Sequence, residues 1–231
     1  ERDGIFTGRI LVWTEIDTRK PWLDLRNEEE LSAEIKKSIR IPDSAKPNFR
    51  VFNYVFSEKK HIVYFESKNE FGERLGPNTA KSIFSRLLSQ ELLGFESPEV
   101  EVTVVPETGA VSRILKLPRL RTLFIRVTLP NADTASPAAR RRVFERLKNA
   151  NARQLEVQYI KAAKAASLEA TEEMTDLAEV GADNGFVKGE GRDADDKKLE
   201  VSTSQFPKRK YINLEEGGSF VSRVEAAIRN L

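Results

Sequence analysis

Residues Phe49–Ser57 read FRVFNYVFS and residues Lys60–Glu66 read KHIVYFE, two runs of aromatic and β-branched residues about the polar turn Glu58-Lys59-Lys60. Runs of this composition bounded by a short polar turn form a β-hairpin. Alternation places Phe52, Tyr54 and Phe56 on one face of the first strand, the expected core side, and Val51, Asn53, Val55 and Ser57 on the other. An antiparallel hairpin this early argues against an all-parallel doubly wound sheet.

Working outward, residues 5–16 (IFTGRILVWTEI) read as a strand, and Asn27 is placed to cap a helix over Glu28–Ile39. Pro77 opens a helix to about Leu93, with Ile83, Phe84, Leu87, Leu88 and Leu92 facing inward and Gly94 just past its end. Residues 98–105 (PEVEVTVV) alternate strictly and predict a strand. A short helix follows near Gly109–Leu115, then a strand over 120–129 and a helix from Pro137 to about Asn149, capped by Asp133 or Ser136. The remaining expectations are a strand over 153–161, a helix over 163–183, strands at Phe186–Glu190 and Leu199–Ser202, and a final helix carrying Phe220, Val224, Ile228 and Leu231. This order predicts an α+β fold with antiparallel hairpins in two lobes, residues 1–130 and 131–231, divided at Leu129-Pro130-Asn131-Ala132-Asp133. The opening Glu1-Arg2-Asp3-Gly4 lacks Met and runs directly into a strand, so an N-terminal strand or two is expected to precede it.

Composition narrows the chemistry. With no Cys and a single His among 231 residues, a disulfide scaffold, a thiolate metal site, a cysteine nucleophile and any two-imidazole site are excluded. No run of 18 apolar residues and no secretory signal is present, and the expected location is cytoplasmic, with no membrane partner. The net charge of +2 conceals a segregation. Residues 113–153 hold eleven basic residues against two acidic ones, a balance of +9, and residues 169–200 hold four basic against eleven acidic, −7. Nine of those eleven basic residues are Arg, whose planar guanidinium binds phosphate bidentately. On the 137–149 helix, Val143, Phe144 and Leu147 form the buried stripe, leaving Arg142 and Arg146 on one solvent face and Arg141 and Lys148 on the next.

Three readings of the basic block stay open: pairing with the acidic block of the same chain, contact with nucleic acid, or contact with an acidic protein partner or a second copy. The nucleic-acid reading assigns Arg119, Arg121, Arg140, Arg141, Arg142, Arg146, Lys148 and Arg153 to the phosphate-contacting surface of a non-enzymatic protein without cofactor.

Other patterns carry less. Asp43, Glu66 and Lys68 match the text of a PD-(D/E)xK nuclease, in which two carboxylates hold Mg²⁺ and a Lys orients the attacking water. Glu66 and Lys68 fall on one face at a strand end, but Asp43 lies in a proline-flanked connector. His61 reads as a half-buried strand residue, Gly72 and Gly76 as turn glycines before a helix without a P-loop pattern, and Asp193, Asp195 and Asp196 as a hairpin loop failing the EF-hand spacing. Trp13, Trp22, Phe52, Tyr54 and Phe65 are expected mainly in the core, with base stacking as the alternative.

The runs TGRILVWTEID (Thr7–Asp17), KPNFRVFNYVFSEKKHIVYFE (Lys46–Glu66), LPRLRTLFIRVTLPN (Leu117–Asn131), NARQLEV (Asn151–Val157) and DNGFVKGEGRD (Asp183–Asp193) together resemble a prokaryotic domain-of-unknown-function family. The resemblance follows the same order over most of the chain and carries no catalytic motif. More distantly, the architecture is similar to phage-exclusion proteins of the lambda type, which implies DNA binding in an anti-phage setting by fold-level analogy alone.

Overall fold

The computed structural model describes residues 4–17, 19–42, 44–97, 99–129, 138–211 and 219–229. Along the chain the elements are β1 (Ile5–Val12), β2 (Leu23–Asp24), β3 (Glu29–Glu30), α1 (Ala33–Ser38), β4 (Arg50–Ser57) and β5 (Ile62–Phe65). These are followed by α2 (Pro77–Leu87), α3 (Gln90–Leu93), α4 (Ala110–Leu115), β6 (Thr122–Thr128), α5 (Ala138–Asn149) and β7 (Gln154–Ile160). Then come α6 (Glu172–Asp183), β8 (Gly185–Arg192), β9 (Lys198–Ser202) and α7 (Phe220–Arg229). The fold is mixed α and β, and every strand pairing in it is antiparallel.

The chain divides into two compact units, Glu1–Leu75 with Ile212–Leu231, and Gly76–Tyr211. The division expected after residue 130 instead falls inside the second unit. There Thr128 of β6 lies opposite Gln154 of β7, so strands from both sides of that boundary build one sheet.

In the first unit β1, β4 and β5 form a three-stranded sheet in that order. The expected hairpin is present, with Tyr54 opposite Phe65 and Ser57 opposite Ile62. Its core is not confined to the Phe52 side. Val55 is fully buried with Ile5 and with Val224 of α7, while Phe52 is fully buried through the opposite face. A helix more than 150 residues further along supplies the second cover, so β4 is buried from both sides. Gly8 of β1 is the site of a close approach: a Cβ there would lie 2.6 Å from the Tyr54 ring. The helix expected over Glu28–Ile39 is reduced to α1. Glu28 stands at φ 60°, turning the chain between β2 and β3, and Ser32 rather than Asn27 caps the helix by accepting from the Ile35 N–H.

In the second unit β7, β6, β8 and β9 form a four-stranded sheet in that spatial order. Leu123, Ile125 and Val127 of β6 and Val187 of β8 point to one face. They pack with Val111 and Ile114 of α4, Leu147 of α5, and Met174, Ala178 and Val180 of α6. Small residues on β8 permit this packing, since a Cβ on Gly189 would come within 2.7 Å of Ile114. The helix expected from Pro77 to Leu93 breaks into α2 and α3 at Leu88-Ser89, leaving Leu87 and Leu92 exposed rather than inward. The alternating segment 99–105 joins no sheet and is tied down where Lys208 N–H donates to Val105 O, next to a single bridge between Pro106 and Pro207. The helix expected over 163–183 starts only at Glu172, capped by Thr171. The caps expected at Asp133 and Ser136 lie outside the described residues.

Candidate nucleic-acid interface

The α5 helix forms because its apolar residues repeat at helical spacing and find a core. Val143, Phe144 and Leu147 pack into the main cluster of the second unit, Leu147 with only 3% of its surface exposed. That fixes the rotation of the helix. Arg141, Arg142, Arg146 and Lys148 are left exposed, together with one acid, Glu145. Among the described residues none of these four cations makes an ion pair. Arg146 and Lys148 also stand in the last turn, where positive charge complements the helix dipole.

Five other arginines of the basic block are engaged within the chain. Arg126 contacts Glu156 at 2.9 Å and Glu101 at 3.9 Å, Arg113 contacts Glu107 at 3.0 Å, and Arg153 pairs with Glu99. Arg119 and Arg121 lie 3.3 and 3.9 Å from Asp196, which also receives Arg192 at 3.2 Å. Pairing with the acidic block thus occurs, but through this one acid for Arg119 and Arg121. The α6 acids Glu172, Glu173, Asp176 and Glu179 are exposed, and among the described residues they pair with no cation of α5. Among the described residues the expected set therefore separates into an unpaired group on α5 and a paired group at Arg119, Arg121 and Arg153. The backbone of Arg140 belongs to α5.

The nuclease pattern is not assembled around Glu66. Its Oε2 accepts from both the Asn53 N–H at 3.1 Å and the Asn53 side-chain amide at 3.0 Å, and the residue is 9% exposed. The strand ends at Phe65 and the chain bends at Ser67, so the two-residue alternation does not carry over to Lys68, which faces solvent while Glu66 is buried. Asp43 lies outside the described residues. Among the described residues no group of three His, Asp or Glu side chains could hold a metal. His61 is not a strand residue: it ends the hairpin turn at φ 51°, exposed, its N–H donating to Glu58 O. Gly76 caps α2 without a side-chain hydrogen bond. Asp193 is an internal brace, accepting from the N–H groups of Asp195 and Lys197 at 2.9 Å.

Of the aromatic residues considered for stacking, Phe52 is buried outright and Trp13 and Trp22 direct their indole N–H groups to Glu15 and to Asp17 O. A further aromatic pair lies elsewhere, at Phe124 and Phe186, both half-buried, with ring centroids 6.5 Å apart. Its signal was in the sequence: Phe124 alternates with buried Leu123 and Ile125, and Phe186 and Lys188 alternate with Gly185, Val187 and Gly189.

Beside these rings Lys188 reaches Glu190 and Glu200 at 3.0 Å, and Lys198 reaches the same two carboxylates at 3.1 Å. Hydrogen bonds from the two ammonium groups hold both carboxyls below the ordinary carboxylate range, and both lysines are raised in return.

No helix among the described residues is long and apolar enough to cross a membrane. The family model described as domain of unknown function (DUF4747) matches residues 1–229. No curated protein and no solved structure matches this chain.

Proposed function

We propose that this chain, which belongs to the DUF4747 family, is a nucleic-acid-binding protein whose phosphate-contacting surface is centred on α5. The observation that carries the reading is the set Arg141, Arg142, Arg146 and Lys148, without an ion-pair partner among the described residues, on a helix whose opposite side packs into the core. Cations with internal partners are already offset, whereas free guanidiniums release condensed counterions when they meet phosphate. Such contacts position a nucleic acid and read little sequence. Arg119, Arg121 and Arg153, each paired with an acid, contribute less per residue.

The test is fluorescence anisotropy with labelled DNA and RNA at low salt, comparing the native chain with a variant carrying Arg141→Ala, Arg142→Ala and Arg146→Ala. Binding by the native chain and a loss of tenfold or more in the variant support the reading. Equal binding by the two moves the surface elsewhere.

An interaction subunit of a larger complex is favoured by a separate feature. Leu87, Leu92, Leu93 and Phe95 expose between 48% and 86% of their surface around α3. Exposed apolar residues grouped in this way mark protein contact sites. Copurification of one defined partner, lost on Leu92→Asp, with no nucleic acid bound at low salt, would replace the first reading by this one.

A further inference from the structure

The sheet β7-β6-β8-β9 carries α4 and α6 against one face, with α5 packed on α6. Its opposite face presents Thr122, Phe124, Arg126 and Thr128 from β6 beside Phe186, Lys188, Glu190 and Arg192 from β8, all half-buried. The helices shown packing against the core residues of this sheet, α4, α5 and α6, belong to the other side. The segment 99–105 reaches the border of this face, where the Thr128 hydroxyl donates to Glu101 and Arg126 approaches the same carboxylate.

At the middle of this face is a shallow depression of about 260 Å³ lined by Thr122, Phe124, Gln158, Phe186, Lys188 and Glu190. The two rings are tilted 56° to one another, and the Arg126 guanidinium sits 5.7 Å from the Phe124 centroid. The depression lies just below the roughly 300–1,000 Å³ of ordinary small-molecule clefts, so it suits one flat ring system. Its rim holds an amide that both donates and accepts, a hydroxyl, an ammonium and a carboxylate, the groups that hydrogen-bond base edges.

One end of the same sheet carries the Arg119, Arg121 and Arg192 cluster. Among the described residues all three guanidiniums pair with the Asp196 carboxylate, in a loop that also carries Asp193 and Asp195, and the three side chains are 42%, 43% and 33% exposed. Each guanidinium has five N–H donors, and one carboxylate offers about four acceptor sites, so donors remain for a further anion. Of the three, Arg192 stands two residues beyond Glu190 on the same face of β8, so the cluster adjoins the depression at the end that Glu190 lines.

The geometry points to a single-stranded nucleic acid laid across this face, which we propose as the ligand class: a base rests on Phe124 and Phe186 and the adjoining phosphate meets Arg119, Arg121 and Arg192. A duplex keeps its base faces stacked inside and cannot use the rings, whereas unstacked bases lie on aromatic platforms of this kind. The inference rests on the nucleic-acid reading above and names the form of the ligand.

The experiment titrates the full chain with labelled 12-nucleotide single strands and with the matching duplex at fixed low salt. The native chain binds the single strand more tightly than the duplex. Phe124→Leu with Phe186→Leu, which keeps apolar bulk and removes the π faces, loses about tenfold for the single strand and leaves duplex binding unchanged. A variant with Arg119→Gln and Arg192→Gln weakens single-strand binding and flattens its salt dependence. Circular dichroism melting establishes that the variants fold. If single-strand affinity is unchanged in the Leu variant while substitution of the α5 arginines abolishes binding, this inference fails and the α5 reading stands. If no nucleic acid binds the folded native chain, both fail.

Discussion

The Asp196 carboxylate lies 3.3 Å from the Arg119 guanidinium, and both residues hold left-handed backbone conformations, φ 61° and φ 44°. Two loops 77 residues apart are brought together by this pair, one entering β6 and one joining β8 to β9. Asp and Asn tolerate this backbone region better than other residues with a side chain. Asp196→Asn therefore preserves the loop while removing the acid that Arg119, Arg121 and Arg192 share. The expected result is a rise of about two- to fivefold in affinity for a short oligonucleotide at low salt, consistent with the modest worth of an exposed ion pair. Anisotropy titration of both proteins measures it.

Gly189 lies at the meeting of β8 with α4. An added Cβ would stand 2.7 Å from Ile114 and 3.0 Å from Leu117, inside the packed layer. Gly189→Ala is expected to destabilise the second unit by about 1–3 kcal/mol, the usual effect of overpacking. Urea unfolding checks this through a lowered midpoint with an unchanged slope.

Glu66 is predicted to be structural. Replacing it by Leu strands the Asn53 N–H and amide, at about 1–3 kcal/mol for buried groups left without an acceptor. Glu66→Gln retains an oxygen acceptor and loses less. Thermal melts of the two variants separate the cases, and a Mg²⁺ titration of the native chain should leave its melting midpoint in place. A Mg²⁺-dependent shift lost in Glu66→Gln would instead show a metal at this carboxylate.

The Lys188, Glu190, Lys198 and Glu200 quartet sets a pH window. Both carboxyls are held below their ordinary value of 4.5 in the folded chain, so their contribution is complete above that value and is lost as pH falls through the lower folded values. Both lysines are raised above 10.5, so their contribution is complete below that value and is lost as pH rises through the higher folded values. Stability measured from pH 3 to 11 should show shoulders at both ends. Lys188→Gln with Lys198→Gln should reduce them, and an unchanged profile in that double variant would contradict the assignment.

The sequence carried the local patterns further than their partners. Val143, Phe144 and Leu147 announce the buried stripe of α5 by spacing alone, and the structure buries that stripe. Residues 98–105 alternate as a strand should, yet alternation reports only which side is sheltered and says nothing about a neighbouring ladder. Alternation singles out the Phe52 face of β4 as the core side and misses the cover over Val55, because that helix arrives at the far end of the chain. The candidate surface was legible in the same partial way. The cations could be counted, but whether each has an acid beside it is a matter of contacts between distant loops, as with Arg119 and Asp196. The Phe124 and Phe186 pair was hidden because the faces of a strand look alike until the helices choose one to cover.

The central claim is that α5 meets phosphate through Arg141, Arg142, Arg146 and Lys148. It is tested most directly by the slope of log affinity against log salt for one duplex, in the native chain and in the variant lacking Arg141, Arg142 and Arg146. Each phosphate contact removed should lower the magnitude of that slope by about 0.9, so three lost contacts reduce it by nearly 3. A folded variant with the same slope and affinity as the native chain would contradict the claim.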